Sequence, residues 1–250
     1  MFNNTSGTKN TAVGLKALLT NSTGSNNTAS GYYTLRNNTT GSDNTAFGFR
    51  VLRNNTASSN TAVGTNAMFT NTTGTLNTAV GKNALYTNTT GSCNTAVGHY
   101  SLSENTTGTE NTAHGYEALK LNTTGSTNTA YGSMSLRMNT TGHNNTASGR
   151  YSLASNTTGA YNIAMGNNAM YANTTGGCNV AVGMSSLFSN TTGLLNSTLG
   201  YQALQCNITG SYNTSSGSYA LKNNTATGNT ALGYAAAISN TTGTGIVAVG

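Results

Sequence analysis

Side chains that could carry out acid–base, nucleophilic or metal chemistry are sparse in this chain, and their spacing forms no site. The histidines are His99, His114 and His143, and the acids are Asp43, Glu104, Glu110 and Glu117. No nucleophile–base–acid set, carboxylate pair or phosphate-binding loop recurs along the sequence. We interpret these residues as variation at exposed positions, and we predict a non-enzymatic protein with no catalytic residue, no cofactor and no metal site.

The three cysteines, Cys93, Cys178 and Cys206, follow no spacing typical of a zinc site or a disulfide framework. Cys93 and Cys178 occupy the same position of a repeat but lie five repeats apart, about 24 Å at the usual strand spacing. A disulfide needs Cα atoms within about 7 Å of each other. A bond between Cys178 and Cys206 is disfavoured, though left open, because the two occupy different repeat positions.

A different chemistry, N-glycosylation, is indicated by an Asn-x-Ser/Thr sequence in every repeat. The predicted acceptors lie ten residues before a recurring glycine: Asn4, Asn21, Asn38, Asn54, Asn71, Asn88, Asn105, Asn122, Asn139, Asn156, Asn173, Asn190, Asn207, Asn223 and Asn240. A second Asn column, four residues before the same glycine, forms this sequence only at Asn196 and Asn213. We therefore predict covalent N-glycans, one per repeat, as a stripe along one edge. The alternative is that N-T-T-G is only a favourable turn.

The acceptors are positioned by a repeat that reads roughly N-T-A-V-G-x-x-A-L-x-x-N-T-T-G-S-x. Its glycine recurs at Gly14, Gly31, Gly48, Gly64, Gly81, Gly98, Gly115, Gly132, Gly149, Gly166, Gly183, Gly200, Gly217, Gly233 and Gly250. The step is 17 residues, except for steps of 16 to Gly64 and to Gly233. Both shorter units replace the N-T-T-G glycine by alanine, at Ala57 and Ala226. We interpret the missing residue as lost between the Leu and the following Asn.

This repeat predicts an all-β fold, a parallel β-solenoid (β-roll) of about fifteen coils with two short strands per coil. Helical-hairpin repeats need about 30 or more residues. In N-T-A-V-G, a strict face of Asn, Ala and Gly alternates with a tolerant one, as in a strand. We expect the strict face to point inward, a Leu/Met column to form the core, and the second Asn column to form a buried amide ladder. We expect the N-T-T-G glycine to adopt a left-handed backbone.

Composition narrows the classes of protein to consider. Only 6% of the residues are charged, the net charge is +6, and the chain contains no Pro. Disordered chains usually combine low hydrophobicity with high net charge or Pro, so this composition does not indicate disorder. The sequence shows no basic run and no basic–aromatic face, which gives little support to nucleic-acid binding. Apolar stretches of a few residues are too short to span a membrane.

The domain organisation predicted is a single continuous array over residues 1–250. Met1 falls in the Leu/Met column and Gly250 in the glycine column, and neither end shows a capping segment or a signal peptide. The sequence therefore favours either a window of a longer array or a subunit that polymerises end to end. Fifteen coils stacked at about 4.8 Å would give a rod on the order of 70 Å long.

The units at 77–84 (N-T-A-V-G-K-N-A) and 94–98 (N-T-A-V-G) resemble the head repeats of trimeric autotransporter adhesins, which carry a motif like S-V-A-I-G-x-x-A. They are also similar to N-T-A-V-G arrays of phage and microbial surface fibres. The resemblance covers all 250 residues. It implies a parallel β-roll, left-handed in the adhesins, and an extracellular or cell-surface location.

Together these observations predict a structural extracellular fibre or filament shaft. Its expected partners are other copies of the chain, joined end to end or laterally, and cell-surface carbohydrate. A second hypothesis is an adhesin or phage-type receptor-binding fibre whose exposed tyrosines bind sugars: Tyr32, Tyr33, Tyr100, Tyr116, Tyr151 and Tyr201. Lateral packing between rods is the favoured explanation of these tyrosines. A third hypothesis is an ice-binding solenoid that presents stacked Thr columns.

Overall fold

The structure is a computed structural model that describes residues 3–250 and divides into two compact units. The first unit ends at Ser126 and the second spans Thr127–Gly250. Fifteen strands recur about 17 residues apart and mark about fourteen turns of a parallel β-solenoid. The predicted all-β solenoid is therefore confirmed. Met1, which the repeat places in the Leu/Met column, lies outside the described residues.

The strands of the first unit pair in chain order, each parallel to the next. They are β1 Thr11–Val13, β2 Thr28–Ser30, β3 Thr45–Phe49, β4 Thr61–Thr65, β5 Thr78–Val80, β6 Thr95–Val97 and β7 Thr112–His114. Equivalent residues of successive coils lie opposite each other, as Ala79 does to Ala96. The register therefore reproduces the sequence repeat.

The second unit repeats this arrangement with eight parallel strands in chain order. They are β8 Thr129–Tyr131, β9 Thr146–Ser148, β10 Ile163–Met165, β11 Val180–Val182, β12 Ser197–Leu199, β13 Thr214–Ser216, β14 Thr230–Leu232 and β15 Val247–Val249. Thr198 stands at the position that is usually Ala, and the register is unchanged there: Ala181 lies opposite Thr198.

Within each strand the small residue points inward and its two neighbours point outward. Ala79 is fully buried, whereas Val80 is exposed. The Leu/Met column, represented by Met68, Leu85 and Leu102, is also fully buried and supplies the largest side chains of the core. The core is therefore a narrow stack of Ala and Leu, as the strict columns of the repeat predict.

Each coil contains one strand, so the prediction of two strands per coil is wrong. The segment that carries the core leucine is a turn with left-handed backbone at two positions, as at Asn83 (φ 56°) and Leu85 (φ 52°). Left-handed residues bend the chain too sharply for an extended strand. The turn still joins the stack, because the backbone N–H of Leu85 donates to the carbonyl of Ser101 at 3.0 Å.

The two glycines of the repeat have different roles from those expected. The strand-end glycine has positive φ, 135° at Gly81, and a Cβ there would lie 2.5 Å from the Gly98 carbonyl oxygen. The N-T-T-G glycine, such as Gly74, lies outside the positive-φ region, so the predicted left-handed turn glycine is wrong. Left-handed backbone occurs two residues later instead, as at Leu76 (φ 58°).

Candidate functional site: asparagine ladders and outer surface

The sequon asparagine of a 17-residue coil lies inside the turn, where its amide bonds two coils together. The Nδ2 of Asn88 donates to the Oδ1 of Asn71 at 2.7 Å and to the carbonyl oxygen of Gly91 at 2.8 Å. Asn105 repeats this pattern with Asn88 at 2.8 Å and Gly108 at 3.0 Å. Both hydrogens of each Nδ2 are therefore used. We call this column the turn ladder.

The second Asn column forms a parallel array, the strand ladder, at the start of each strand. The backbone N–H of Asn94 donates to the Oδ1 of Asn77 at 2.9 Å, and its Nδ2 donates to the carbonyl oxygen of Gly108 at 2.9 Å. This confirms the predicted buried ladder. The Gly108 carbonyl also accepts from Asn105 of the turn ladder. The turn glycine thus joins the two ladders through one shared acceptor.

Close packing explains why this turn position is glycine. A Cβ on Gly91 would lie 2.5 Å from the Oδ1 of Asn88 and 2.8 Å from the Nδ2 of Asn105, and it would overlap the carbonyl oxygen of Gly108. These atoms belong to buried hydrogen-bonded groups that cannot move aside without breaking both ladders. The glycine is therefore required by the space between coils.

The turn ladder contradicts the predicted stripe of glycans. Eleven predicted acceptors are fully buried: Asn21, Asn38, Asn71, Asn88, Asn105, Asn122, Asn139, Asn156, Asn173, Asn190 and Asn207. An N-linked sugar replaces a hydrogen on Nδ2, and in this fold that nitrogen is enclosed within the turn. A bulky sugar there would have to open the turn and break the ladder. The folded coil therefore excludes glycans at these positions.

In the two 16-residue coils, the ladder asparagine is not the predicted acceptor but the residue after it. Asn55 is fully buried, and its Nδ2 donates to the Ala57 carbonyl at 2.7 Å and, more weakly, to the Oδ1 of Asn38 at 3.4 Å. Asn224 is likewise buried and donates to the Ala226 carbonyl at 2.9 Å. Neither is a sequon, because alanine stands two residues later. The ladder position therefore persists where the glycosylation sequence does not.

The positions of Asn55 and Asn224 also show where the 16-residue coils lack a residue. Asn55 precedes its turn residue Ala57 by two positions, whereas Asn71 precedes Gly74 by three. The residue is lost inside the N-T-T-G turn, so the interpretation that it is lost between Leu and Asn is wrong. Counting from the core leucine shows this: Asn55 follows Leu52 by the usual three residues. That count was available from the sequence and identifies the ladder residue.

Four predicted acceptors are not fully buried. Asn4 and Asn223 are exposed, and Asn54 is half-buried. Asn54 accepts a hydrogen bond from Asn37 at 2.9 Å, and no hydrogen bond donated by its own Nδ2 occurs within residues 3–250. Asn240 is half-buried, but its Nδ2 donates to the Oδ1 of Asn224 at 2.7 Å, as in the turn ladder. Asn4 also belongs to the turn ladder, because its Nδ2 donates to the Gly7 carbonyl at 2.7 Å and its Oδ1 accepts from Asn21 at 2.8 Å. Glycosylation at Asn54 and Asn223 remains a prediction.

The residues considered for acid–base or metal chemistry are dispersed along the chain, and Glu117 is buried, contrary to the expectation of an exposed position. Glu117 pairs with Lys120 of its own coil at 2.9 Å, and the ring of His99 packs 4.3 Å from that of Tyr100. His114 lies on the outer face of β7. Over residues 3–250, no group of three His, Cys, Asp or Glu residues is placed to hold a metal ion. The three cysteines are free, with Cys93 and Cys178 exposed and Cys206 half-buried.

The tyrosines considered for sugar binding fall in two adjacent columns directly after the strand glycine. Their rings contact rings of the same or the next coil: Tyr32 lies 4.2 Å from Tyr33 edge-on, and Tyr201 lies 5.2 Å from Tyr219. A surface groove of about 500 Å³ runs beside Tyr100 and includes Glu104 and Lys120. These columns therefore present ring edges together with charged groups.

The outer face of the strands carries a Thr column beside a mainly apolar one. In the first unit the apolar column includes Phe47 and Val63, which are 44% and 38% exposed. In the second unit it includes Leu199 and Leu232, which are 55% and 54% exposed. This face remains uncovered within the chain and offers apolar area for contact with another molecule.

A scan against protein-family models and searches of curated proteins and of solved structures found no match to this chain. The resemblance to adhesin heads and surface fibres therefore stays a prediction. Among the residues that the structure describes, no helix is long and apolar enough to cross a membrane.

Proposed function

We propose that this chain is a structural, non-enzymatic shaft segment of an extracellular or cell-surface fibre. The observation that carries the proposal is the pair of asparagine ladders. Within each unit, neighbouring coils are bonded through the turn ladder, the strand ladder and the backbone, so that coils add length by repeating one set of contacts. Stability in such arrays comes from contacts between neighbouring repeats.

The extracellular location is supported by the resemblance to surface-fibre repeats and by two accessible acceptors, Asn54 and Asn223. Glycans on this shaft would be few and confined to these positions. One sugar per coil is excluded by the turn ladder.

Self-association of the shaft is supported by the outer strand face. Its apolar column, with Phe47 and Val63 in one unit and Leu199 and Leu232 in the other, would be covered by a second copy packed laterally. Burial of apolar area contributes roughly 25 cal/mol per Å², so a row of such residues stabilises association even where each contact is small.

Immunogold electron microscopy on the cells that make the protein tests the shaft. We expect antibodies against the coils to label surface or released filaments, and sedimentation of the purified chain to show elongated particles that associate with concentration. Label confined to the cytoplasm would refute the extracellular shaft. A Phe47→Ser, Val63→Ser variant should weaken lateral association, whereas the exposed turn variant Thr73→Ser should not.

Ice binding is a second candidate, favoured by the second Thr of N-T-T-G. Thr73 and Thr107 are exposed, and within residues 3–250 their hydroxyls donate no hydrogen bond. With Asn71 and Asn105 buried in the ladder, a glycosylation sequence no longer explains why this column holds Thr. A thermal-hysteresis assay with purified chain separates the candidates, since a shaft without ice affinity gives no hysteresis.

A further inference from the structure

Three cations of the first unit surround the ring of Tyr33. Lys16 Nζ lies 5.1 Å from the ring centroid, Arg36 Cζ lies 5.1 Å from it, and Arg53 Cζ lies 5.8 Å from it. Lys16 Nζ also forms a hydrogen bond with the Tyr33 hydroxyl at 3.0 Å. Arg50 lies next in the column of Lys16 and Tyr33. We call Lys16, Tyr33, Arg36, Arg50 and Arg53 the Tyr33 patch.

The Tyr33 patch is a basic–aromatic face that the sequence did not reveal, which corrects that expectation. Lys16, Tyr33 and Arg50 are separated by 17 residues each, and Arg36 and Arg53 are also 17 apart. The solenoid converts each step into a separation of about 4.8 Å between coils. Residues that look isolated along the chain thus form two adjacent columns of positive charge.

No cation of the Tyr33 patch forms an ion pair with an acid among residues 3–250. Asp43 is the single acid among residues 3–103, and its Oδ1 accepts a hydrogen bond from Asn26. The Nε atoms of Arg36 and Arg53 are buried and have no hydrogen-bond partner among the described residues. Buried polar groups normally have partners. An external anion cannot reach these enclosed nitrogens and would instead bind the remaining N–H groups of Arg36 and Arg53, which form no ion pair among residues 3–250.

The cations also act on the phenol that they surround. The pKa of Tyr33 is lowered, mainly by its hydrogen bond with Lys16 and next by that with Tyr32. Nearby positive charge favours the deprotonated, anionic form of a phenol and therefore lowers its pKa.

The ring contacts in the Tyr33 patch bear on which kind of anionic polymer fits it. The Phe49 ring is stacked on Tyr32 at 5.4 Å and an interplanar angle of 7°, and Arg50 Cζ lies 4.8 Å from its centroid. Binding of single-stranded nucleic acid uses free ring faces on which bases stack, and here Tyr32 and Phe49 each have one face covered by the other ring. The guanidinium groups retain N–H donors suited to carboxylate, sulfate or phosphate oxygens.

We infer that the Tyr33 patch binds an anionic polysaccharide, carboxylated or sulfated, that runs along the two cation columns. Each coil presents cations at a regular interval to a chain that carries regularly spaced anionic groups. This surface is separate from the ladders, so the inference goes beyond the shaft role and does not depend on it.

Affinity electrophoresis of the full chain tests the inference, with heparin and polygalacturonate as anionic probes and dextran as the neutral one. We expect retardation by at least one anionic probe and none by dextran. The variant Arg36→Gln, Arg53→Gln should weaken binding about tenfold or more. A second pair, Lys16→Gln with Arg50→Gln, changes only exposed side chains and should act in the same direction. Circular dichroism verifies that each variant remains folded.

The matched control is Arg137→Gln with Arg150→Gln, which removes the same charge from the second unit. It should bind as the unaltered chain does. Equal weakening by the control and the patch variants would show attraction by net charge alone and overturn the inference. So would the absence of binding to both anionic probes at low salt. Tighter binding of an oligothymidylate, displaced by neither polysaccharide, would assign the patch to nucleic acid instead.

Discussion

The full-length turn at 71–74 and the shortened turn at 55–57 make the same contacts with different numbers of residues. Asn71 bonds the carbonyl of Gly74 at 2.9 Å, and Asn55 bonds that of Ala57 at 2.7 Å. The shorter turn accommodates a methyl group where the longer one does not. The difference teaches that the ladder asparagine is selected by its distance from the core leucine. The glycosylation sequence follows the ladder asparagine in the longer turn and is absent from the ladder asparagine of the shorter one.

The largest expected effect comes from placing the short turn's alanine in the long turn. Gly74→Ala should lower the free energy of unfolding by about 3 kcal/mol, because its Cβ would overlap the Gly91 carbonyl and crowd the Asn71 and Asn88 amides. Urea unfolding followed by circular dichroism measures it. As the control, Ala57→Gly should cost about 1 kcal/mol or less. Equal costs for the two variants would remove the distinction between the turns.

Deleting Thr73 in the Gly74→Ala background should recover most of the lost stability, about 2 kcal/mol. The resulting turn, N-T-A, has the length and residues of the natural turn at 55–57. The same urea experiment compares the double change with Gly74→Ala alone. If the deletion destabilises the chain further, turn length does not explain why alanine is tolerated at 57.

Removing a side-chain amide of the turn ladder should lower the free energy of unfolding more than removing the predicted glycosylation acceptor of a short coil. Asn105→Ala leaves the Gly108 carbonyl and the Asn88 Oδ1 each without one buried donor and should cost about 2 kcal/mol. Asn54→Ala, at a half-buried position outside the ladder, should cost less than about 0.5 kcal/mol. Thermal denaturation of the two variants gives the order, and a reversed order would contradict the assignment of the ladder.

The smallest expected effect on stability comes from glycosylation. Its test is which asparagines carry a sugar. Enzymatic deglycosylation of native protein in heavy-oxygen water, followed by peptide mass spectrometry, tags each occupied asparagine. We expect no tag at Asn71 or Asn88, whose Nδ2 atoms lie in the ladder, and any tags to fall at Asn54 or Asn223. Tags at Asn71 and Asn88 would falsify the buried turn ladder itself.

Much of the fold follows from the repeat. Columns that hold mainly Ala, Leu or Asn predicted the inward face, the core and the strand ladder, because those positions face the interior and the next coil. The single strand per coil did not follow, since nothing in the identity of Leu85 indicates a left-handed backbone, which most non-glycine residues avoid. Packing of the leucine into the core outweighs that preference.

The site was harder to predict because its contacts lie between repeats. In the sequence, Asn88 has the pattern of an accessible glycosylation acceptor, followed by Thr and Gly. Only the position of the next coil shows that its amide is enclosed. The Tyr33 patch was missed for the same reason, since its members are 17 residues apart. The signal is present in the sequence, because charged and aromatic residues recur at the same positions of successive repeats.

The ladders also bear on how such a chain can change in length. Every Nδ2 of the turn ladder in residues 71–122 points to the preceding coil, so each coil offers the same donor and acceptor surface as its neighbour. An in-frame duplication or loss of whole 17-residue units through unequal recombination would rejoin matching surfaces. The protein can therefore vary in reach by inheritance of more or fewer coils, without any new interface having to evolve.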